Sequence, residues 1–128
     1  MKRVLLMMLG VYMILTMIAG GEEGVASIYT VRSNHGRTTA SGIALVDNAN
    51  MVAHKTYPFG TKLLITNVEN SQSAVGIVVD RGPYVAGRIV DVTLGIAEKM
   101  GLAKTKGITK VKIMVVGKVD LKKYKLEQ

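Results

Sequence analysis

The chain has 128 residues, with 17 basic and 9 acidic side chains, a net charge of +8 and no cysteine. The lack of cysteine excludes both a disulfide framework and a lipid-modified cysteine, and the length allows one domain with one modest core. The basic balance predicts a surface that meets anionic partners.

The first predicted element is a secretory signal peptide over residues 1–21. Lys2 and Arg3 precede an uncharged run from Val4 to Ala19, and small residues follow it. At about 1.5 Å of helix rise per residue, this run is shorter than a bilayer core of roughly 30 Å. We therefore expect cleavage and export, with an uncleaved anchor as the alternative. Removal of the segment leaves 15 basic and 9 acidic residues, a net charge of +6.

The remaining chain predicts a mainly β domain over residues 22–117. Apolar and β-branched segments alternate with polar, glycine-rich loops, the pattern of short strands. The predicted strands are Val25–Val31, Lys62–Val68, Ala74–Val79, Arg88–Val92 and Ile108–Val116. A short helix is expected over Leu94–Met100, capped by Thr93 and ended by Gly101. Many short strands with one short helix indicate a small closed barrel, whose strand order the pattern does not give.

Lysines crowd the C-terminal end of the chain. Lys118, Lys122, Lys123 and Lys125 fall within its last eleven residues. Such a run is usually a solvated segment. We therefore expect residues 118–128 to form a basic tail.

Two aspartates stand at the ends of predicted strands, where functional groups are commonly placed. Asp80 leads the turn Asp80-Arg81-Gly82-Pro83, and Asp91 ends a short strand before Thr93. The alternatives are structural: Asp80 caps its turn, and Asp91 lies near a helix N-terminus. His35 and His54 are the only histidines in the sequence, and with no cysteine they do not predict a metal site.

Five blocks of sequence, in order, resemble the RlpA (rare lipoprotein A) family. The blocks are Gly24–Tyr29, His35–Gly42, Ala53–Thr61, Asp80–Tyr84 and Gly87–Asp91. The resemblance implies a six-stranded double-psi β-barrel with one or two short helices. It also implies lytic transglycosylase action on peptidoglycan glycan strands, with a preference for strands that lack stem peptides.

A lytic transglycosylase needs one carboxyl that protonates the glycosidic oxygen and then accepts a proton from the substrate's own C6 hydroxyl. The resemblance and the strand-end position favour Asp80 for this role, with His54 and Asp91 in support. Substrate contacts are expected from Lys55, Arg81, Tyr84 and Arg88, since basic side chains suit lactyl carboxylates and an exposed aromatic ring suits a sugar face. No cofactor is expected.

One departure from the family pattern leaves a second function open. Ile43 stands where family members typically carry a glutamate. The alternative is a non-catalytic peptidoglycan-binding or expansin-like wall-loosening protein. Charge alone would allow nucleic-acid binding, but the export signal disfavours it. We expect an exported monomer that has no stable membrane anchor after cleavage and acts in the periplasm, the envelope or outside the cell.

Overall fold

A computed structural model describes residues 21–102 and 107–128. In these residues six strands close into one barrel, and two short helices lie outside the strand order. The strands are β1 (Glu22–Ile28), β2 (Met51–Ala53), β3 (Thr61–Asn67), β4 (Ser73–Asp80), β5 (Arg88–Val92) and β6 (Ile108–Lys118). The helices are α1 (Leu94–Lys99) and α2 (Leu121–Leu126). The predicted mainly β barrel with short helices is confirmed.

The strands follow the order β1-β5-β2-β4-β3-β6 around the barrel. Two neighbouring pairs, β1 with β5 and β2 with β4, run parallel, and the other pairs run antiparallel. Parallel neighbours need long connections, so strands far apart in the chain become adjacent. This order brings the ends of β2, β4 and β5 together, and those ends carry the candidate site.

Two apolar clusters pack on opposite faces of the sheet because side chains alternate along a strand. The barrel cluster includes Leu63, Ile65, Val78, Val90, Val92, Val111 and Ile113, together with Ile96 and Met100 from the α1 region. The flank cluster consists of Ile43, Leu45, Met51, Ile77 and Val79, with Tyr29, Leu121 and Tyr124 packed against it. Leu121 and Tyr124 belong to α2, so the segment expected as a solvated tail contains a helix that packs on the barrel.

The signal peptide prediction falls almost entirely outside the described residues, since the structure describes none of residues 1–20. Among the helices that are described, none combines the length and apolar character needed to cross a membrane.

Candidate functional site

The two predicted aspartates lie on strands that flank β2. In the strand register, Ala53 of β2 pairs with Asp80 of β4 on one side and with Asp91 of β5 on the other. Neighbouring strands lie about 4.8 Å apart, so the two aspartate Cα atoms are separated by roughly 10 Å. Ser27 of β1 continues this row beyond Asp91. The barrel order therefore gathers residues from four strands into one row.

Asp80 is held by the backbone at the end of β4. Its Oδ1 accepts hydrogen bonds from the Ala40 and Arg81 amides, both at 2.9 Å. The first bond ties the loop that follows β1 to the end of β4, and the second joins the carboxylate to the amide of the next residue, where the turn begins. In the described residues Asp80 therefore bonds the backbone at the start of its turn, and no bond from its side chain crosses the turn to Gly82. Its Oδ2 receives no hydrogen bond from the part of the chain that the structure describes.

Asp91 is the half-buried carboxyl of the site, and Ser27 donates a hydrogen bond to its Oδ1. Burial raises the pKa of Asp91 above its usual value; the Ser27 hydrogen bond and the nearby Arg88 charge oppose this, and the Asp80 charge adds to it. A raised pKa suits a carboxyl that must hold a proton before it donates one. In the described residues, the hydrogen bond to the Asp91 side chain comes from Ser27 and not from the N-terminus of a helix.

Gly82 brings the turn after β4 against Asp91. A Cβ atom at position 82 would lie 3.9 Å from Asp91 Oδ2 and 3.6 Å from the Tyr84 ring. Its φ of +117° also favours glycine. Tyr84 is 81% exposed, so an aromatic residue faces solvent beside this carboxyl.

His54 does not contact either aspartate through its ring. Its Nδ1 accepts hydrogen bonds from the Thr56 and Tyr57 amides, each at 3.1 Å. Its Nε2 lies 3.0 Å from Glu22 Oε2. The histidine is only 3% exposed and stacks on Tyr57, with ring centroids 3.9 Å apart. The carboxyl partner of the His54 ring is therefore Glu22, and a supporting role of His54 toward the substrate stays a prediction.

Arg81 donates hydrogen bonds to the loop that contains His54. Its Nη1 donates to the backbone oxygens of His54, at 3.2 Å, and Tyr57, at 2.9 Å. Its guanidinium also lies 4.0 Å from the centre of the Phe59 ring. Arg81 therefore holds the 54–59 loop in place, and a direct substrate contact by Arg81 stays a prediction.

The remaining predicted contacts lie at the surface. Lys55 is exposed, and Arg88 is half-exposed and near enough to Asp91 to influence its pKa. His35 is exposed in the loop after β1, and no cluster of metal-binding side chains occurs in residues 21–102 and 107–128.

The sequence alone did not identify three residues of this site. Glu22 bonds to His54, Ser27 bonds to Asp91, and the pKa of Tyr29 responds to the charges of both aspartates. Burial raises the pKa of Tyr29, and the charges of Asp80 and Asp91 add to this. Ser27 and Tyr29 lie in the first matched block, but their proximity to the carboxyls depends on the β1–β5 pairing. Glu22 lies next to the predicted signal junction, where no local pattern marks it.

Two cavities of about 390 and 450 Å³ flank α2 and share Val119 and Tyr124 among their lining residues. Neither is lined by Asp80, His54 or Asp91.

Comparison with known proteins gives a consistent family. A family model described as "Lytic transglycolase" matches residues 21–113. The "Probable endolytic peptidoglycan transglycosylase RlpA" of Synechocystis sp. is 41% identical over 95 residues, which cover 74% of this chain and 29% of the relative. The "Endolytic peptidoglycan transglycosylase RlpA" of Pasteurella multocida is 37% identical over 95 residues, covering 74% of this chain and 32% of the relative. This chain therefore matches about a third of either relative's length.

Solved structures support the fold. The crystal structure of an apo expansin from Clavibacter michiganensis aligns with a TM-score of 0.56 and 20% identity, covering 77% of this chain and 51% of that chain. A variant of that expansin in complex with cellohexaose aligns with a TM-score of 0.55 and 19% identity, covering 74% of this chain and 50% of that chain. The fold expected from the resemblance, a double-psi β-barrel, is confirmed.

Proposed function

Because the chain belongs to the RlpA-like lytic transglycosylase family, we propose that it cleaves peptidoglycan glycan strands endolytically. The bond cleaved is the one between N-acetylmuramic acid and N-acetylglucosamine, and the product ends in 1,6-anhydro-N-acetylmuramic acid. Strands without stem peptides are the preferred substrate. This substrate lies in the cell envelope, in agreement with the predicted signal peptide.

The observation that carries the proposal is the carboxyl pair, Asp80 and Asp91, set on either side of Ala53. The reaction begins when a protonated carboxyl donates its proton to the glycosidic oxygen and the bond from that oxygen to C1 breaks. The C6 hydroxyl then forms a new bond to C1 and gives its proton to the same carboxylate. No water is consumed, and the acid returns to its starting state.

We assign the acid and base role to Asp91 rather than to Asp80, which sequence reasoning preferred. Burial raises the pKa of Asp91, so more of it is protonated near neutral pH than of an ordinary aspartate. The second carboxyl, Asp80, is oriented by two backbone amides and stabilises the positive charge that develops on the sugar ring.

Substrate contacts follow from exposure and charge. Tyr84 offers an exposed ring beside Asp91 for stacking on a sugar. Lys55 is exposed and Arg88 is half-exposed, and we expect both to meet lactyl carboxylates, which stripped strands present without attached peptides. Stem peptides would block these contacts, which accounts for the proposed preference.

The test is to incubate the purified protein with denuded glycan strands and to detect 1,6-anhydro ends by mass spectrometry. We expect new ends from the wild-type protein. Asp91→Asn should lower their yield by a factor of about 10² or more, because the proposed proton donor is lost. Asp80→Asn should reduce the rate but leave a measurable residue. If Asp80→Asn abolishes the product and Asp91→Asn does not, the two roles are reversed.

A second candidate function is glycan binding without cleavage. The shared fold with an expansin whose variant was solved with cellohexaose favours it, as does the presence of Ile43, a buried apolar residue, at the family's glutamate position. The same incubation separates the two functions. Retention of intact strands with no anhydro ends would support binding alone and would exclude the enzyme.

A further inference from the structure

We propose that Glu22 is a positioning residue of this site, acting through His54 on the turn that holds Asp80. The inference rests on the proposed function for its effect on catalysis, whereas the structural coupling can be tested without it. Glu22 is the first residue of β1, 32 positions before His54 in the chain. The closed barrel brings the two side chains together.

The hydrogen bonds of His54 fix where its proton lies. Nδ1 accepts from two backbone amides, so it carries no proton of its own. The ring proton is then on Nε2, which donates to Glu22 Oε2 at 3.0 Å. The His54 side chain is only 4% exposed, and its ring N–H would otherwise be left without an acceptor, at a cost in free energy. Glu22 therefore fixes the orientation of a buried ring.

The backbone of His54 connects the ring to the turn that begins at Asp80. The His54 amide donates to the Asp80 carbonyl at 3.1 Å. In return, Arg81 Nη1 donates to the His54 carbonyl at 3.2 Å. The backbone of His54, whose ring bonds to Glu22, is therefore hydrogen-bonded to both Asp80 and Arg81. A ring that turned or moved outward would displace this backbone and, with it, the Asp80 carboxyl.

Glu23 offers a matched control. It carries the same charge on the same strand, but its side chain is 50% exposed and pairs at 3.5 Å with Lys110, which is 62% exposed. Such exposed pairs contribute little to stability. A change at Glu23 therefore reports the loss of one carboxylate from β1 without any effect on His54.

The experiment compares Glu22→Ala, Glu22→Gln and Glu23→Ala for the release of anhydro ends and for the NMR amide signals of Ala40 and Arg81, which donate to Asp80. We expect Glu22→Ala to lower kcat by at least about tenfold with KM little changed, because small displacements of catalytic groups are costly. It should also shift both amide signals. Glu22→Gln should retain most of the activity since its amide oxygen still accepts the Nε2 proton. Glu23→Ala should match the wild type.

The possible failures are distinguishable. If the wild-type protein forms no anhydro ends, the proposed enzyme function fails, and the amide signals alone decide the coupling. If the amide chemical shifts of Ala40 and Arg81 are the same in Glu22→Ala as in Glu23→Ala, Glu22 does not position the turn and the inference is overturned. Equal kcat values for Glu22→Ala and Glu23→Ala in an active protein also overturn it.

Discussion

The least expected property at the level of single residues is that the two strand-end aspartates differ in environment. Asp80 is bonded to two backbone amides, whereas Asp91 is half-buried and bonded to one hydroxyl, that of Ser27. Carboxyls in different surroundings can take different roles in one reaction. The difference between the two aspartates depends on burial and on neighbours from other strands. The sequence of a single strand does not show either of these.

The raised pKa of Asp91 predicts a pH-dependent stability. Because the folded state binds this proton more tightly than the unfolded state, ionisation of Asp91 opposes folding. Stability should fall as the pH rises from about 3.8, the ordinary value, through the raised folded value. Asp91→Asn keeps an acceptor for Ser27 and carries no charge. At pH 7 it should therefore unfold at a higher temperature than the wild type.

Thermal unfolding at pH 7 and pH 3 measures this effect. The advantage of Asp91→Asn should vanish at pH 3, where aspartate is neutral in both states. Asp120→Asn is the control, because Asp120 is an exposed helix cap that asparagine replaces well. An Asp91→Asn variant that is less stable than the wild type at pH 7 would contradict the assigned environment.

At the scale of elements, strands were predictable and their contacts were not. Arg88–Val92 matches β5, and the predictions for β1, β3, β4 and β6 overlap the observed strands with shifted ends. The strand β2 was missed because Met51–Ala53 is too short to show alternation. The helix α2 was missed because lysines dominate its sequence, although Leu121 and Tyr124 pack on the flank cluster.

Helix α1 provides a prediction at this scale. Alanine normally stabilises a helix relative to glycine by about 1 kcal/mol. At Gly95, however, a Cβ atom would lie 2.7 Å from the Asn48 carbonyl oxygen and 2.9 Å from its carbon. These are backbone atoms that cannot rotate away. We therefore expect Gly95→Ala to destabilise the protein, by roughly 1–3 kcal/mol.

Urea denaturation tests this prediction through the transition midpoint. Glu98→Ala, on the exposed side of the same helix, should change the unfolding free energy by no more than about 0.5 kcal/mol. A Gly95→Ala midpoint above that of the wild type would show that α1 does not pack closely against the 48–49 loop.

For the whole molecule, strand order is what turns sequence motifs into a site. Ser27, Ala53, Asp80 and Asp91 occupy one register row although they span much of the chain. The motifs identified the aspartates and His54 through their resemblance to a family. The order of the strands then decided which carboxyl became buried and which carboxyl reached His54.

The same topology constrains where the chain can be processed. β1 begins at Glu22 and closes the barrel by pairing with both β5 and β6. Removal of the predicted signal peptide, residues 1–21, leaves β1 complete and keeps the Glu22 carboxylate at His54. We therefore predict that the exported protein begins at Glu22, as the intact mass of material recovered from a secreting bacterium would show. A mass matching a start within β1 would contradict this, because loss of residues 22–24 would remove β6 pairing partners and the His54 acceptor together. A mass matching the unprocessed chain would instead identify residues 1–21 as a retained anchor.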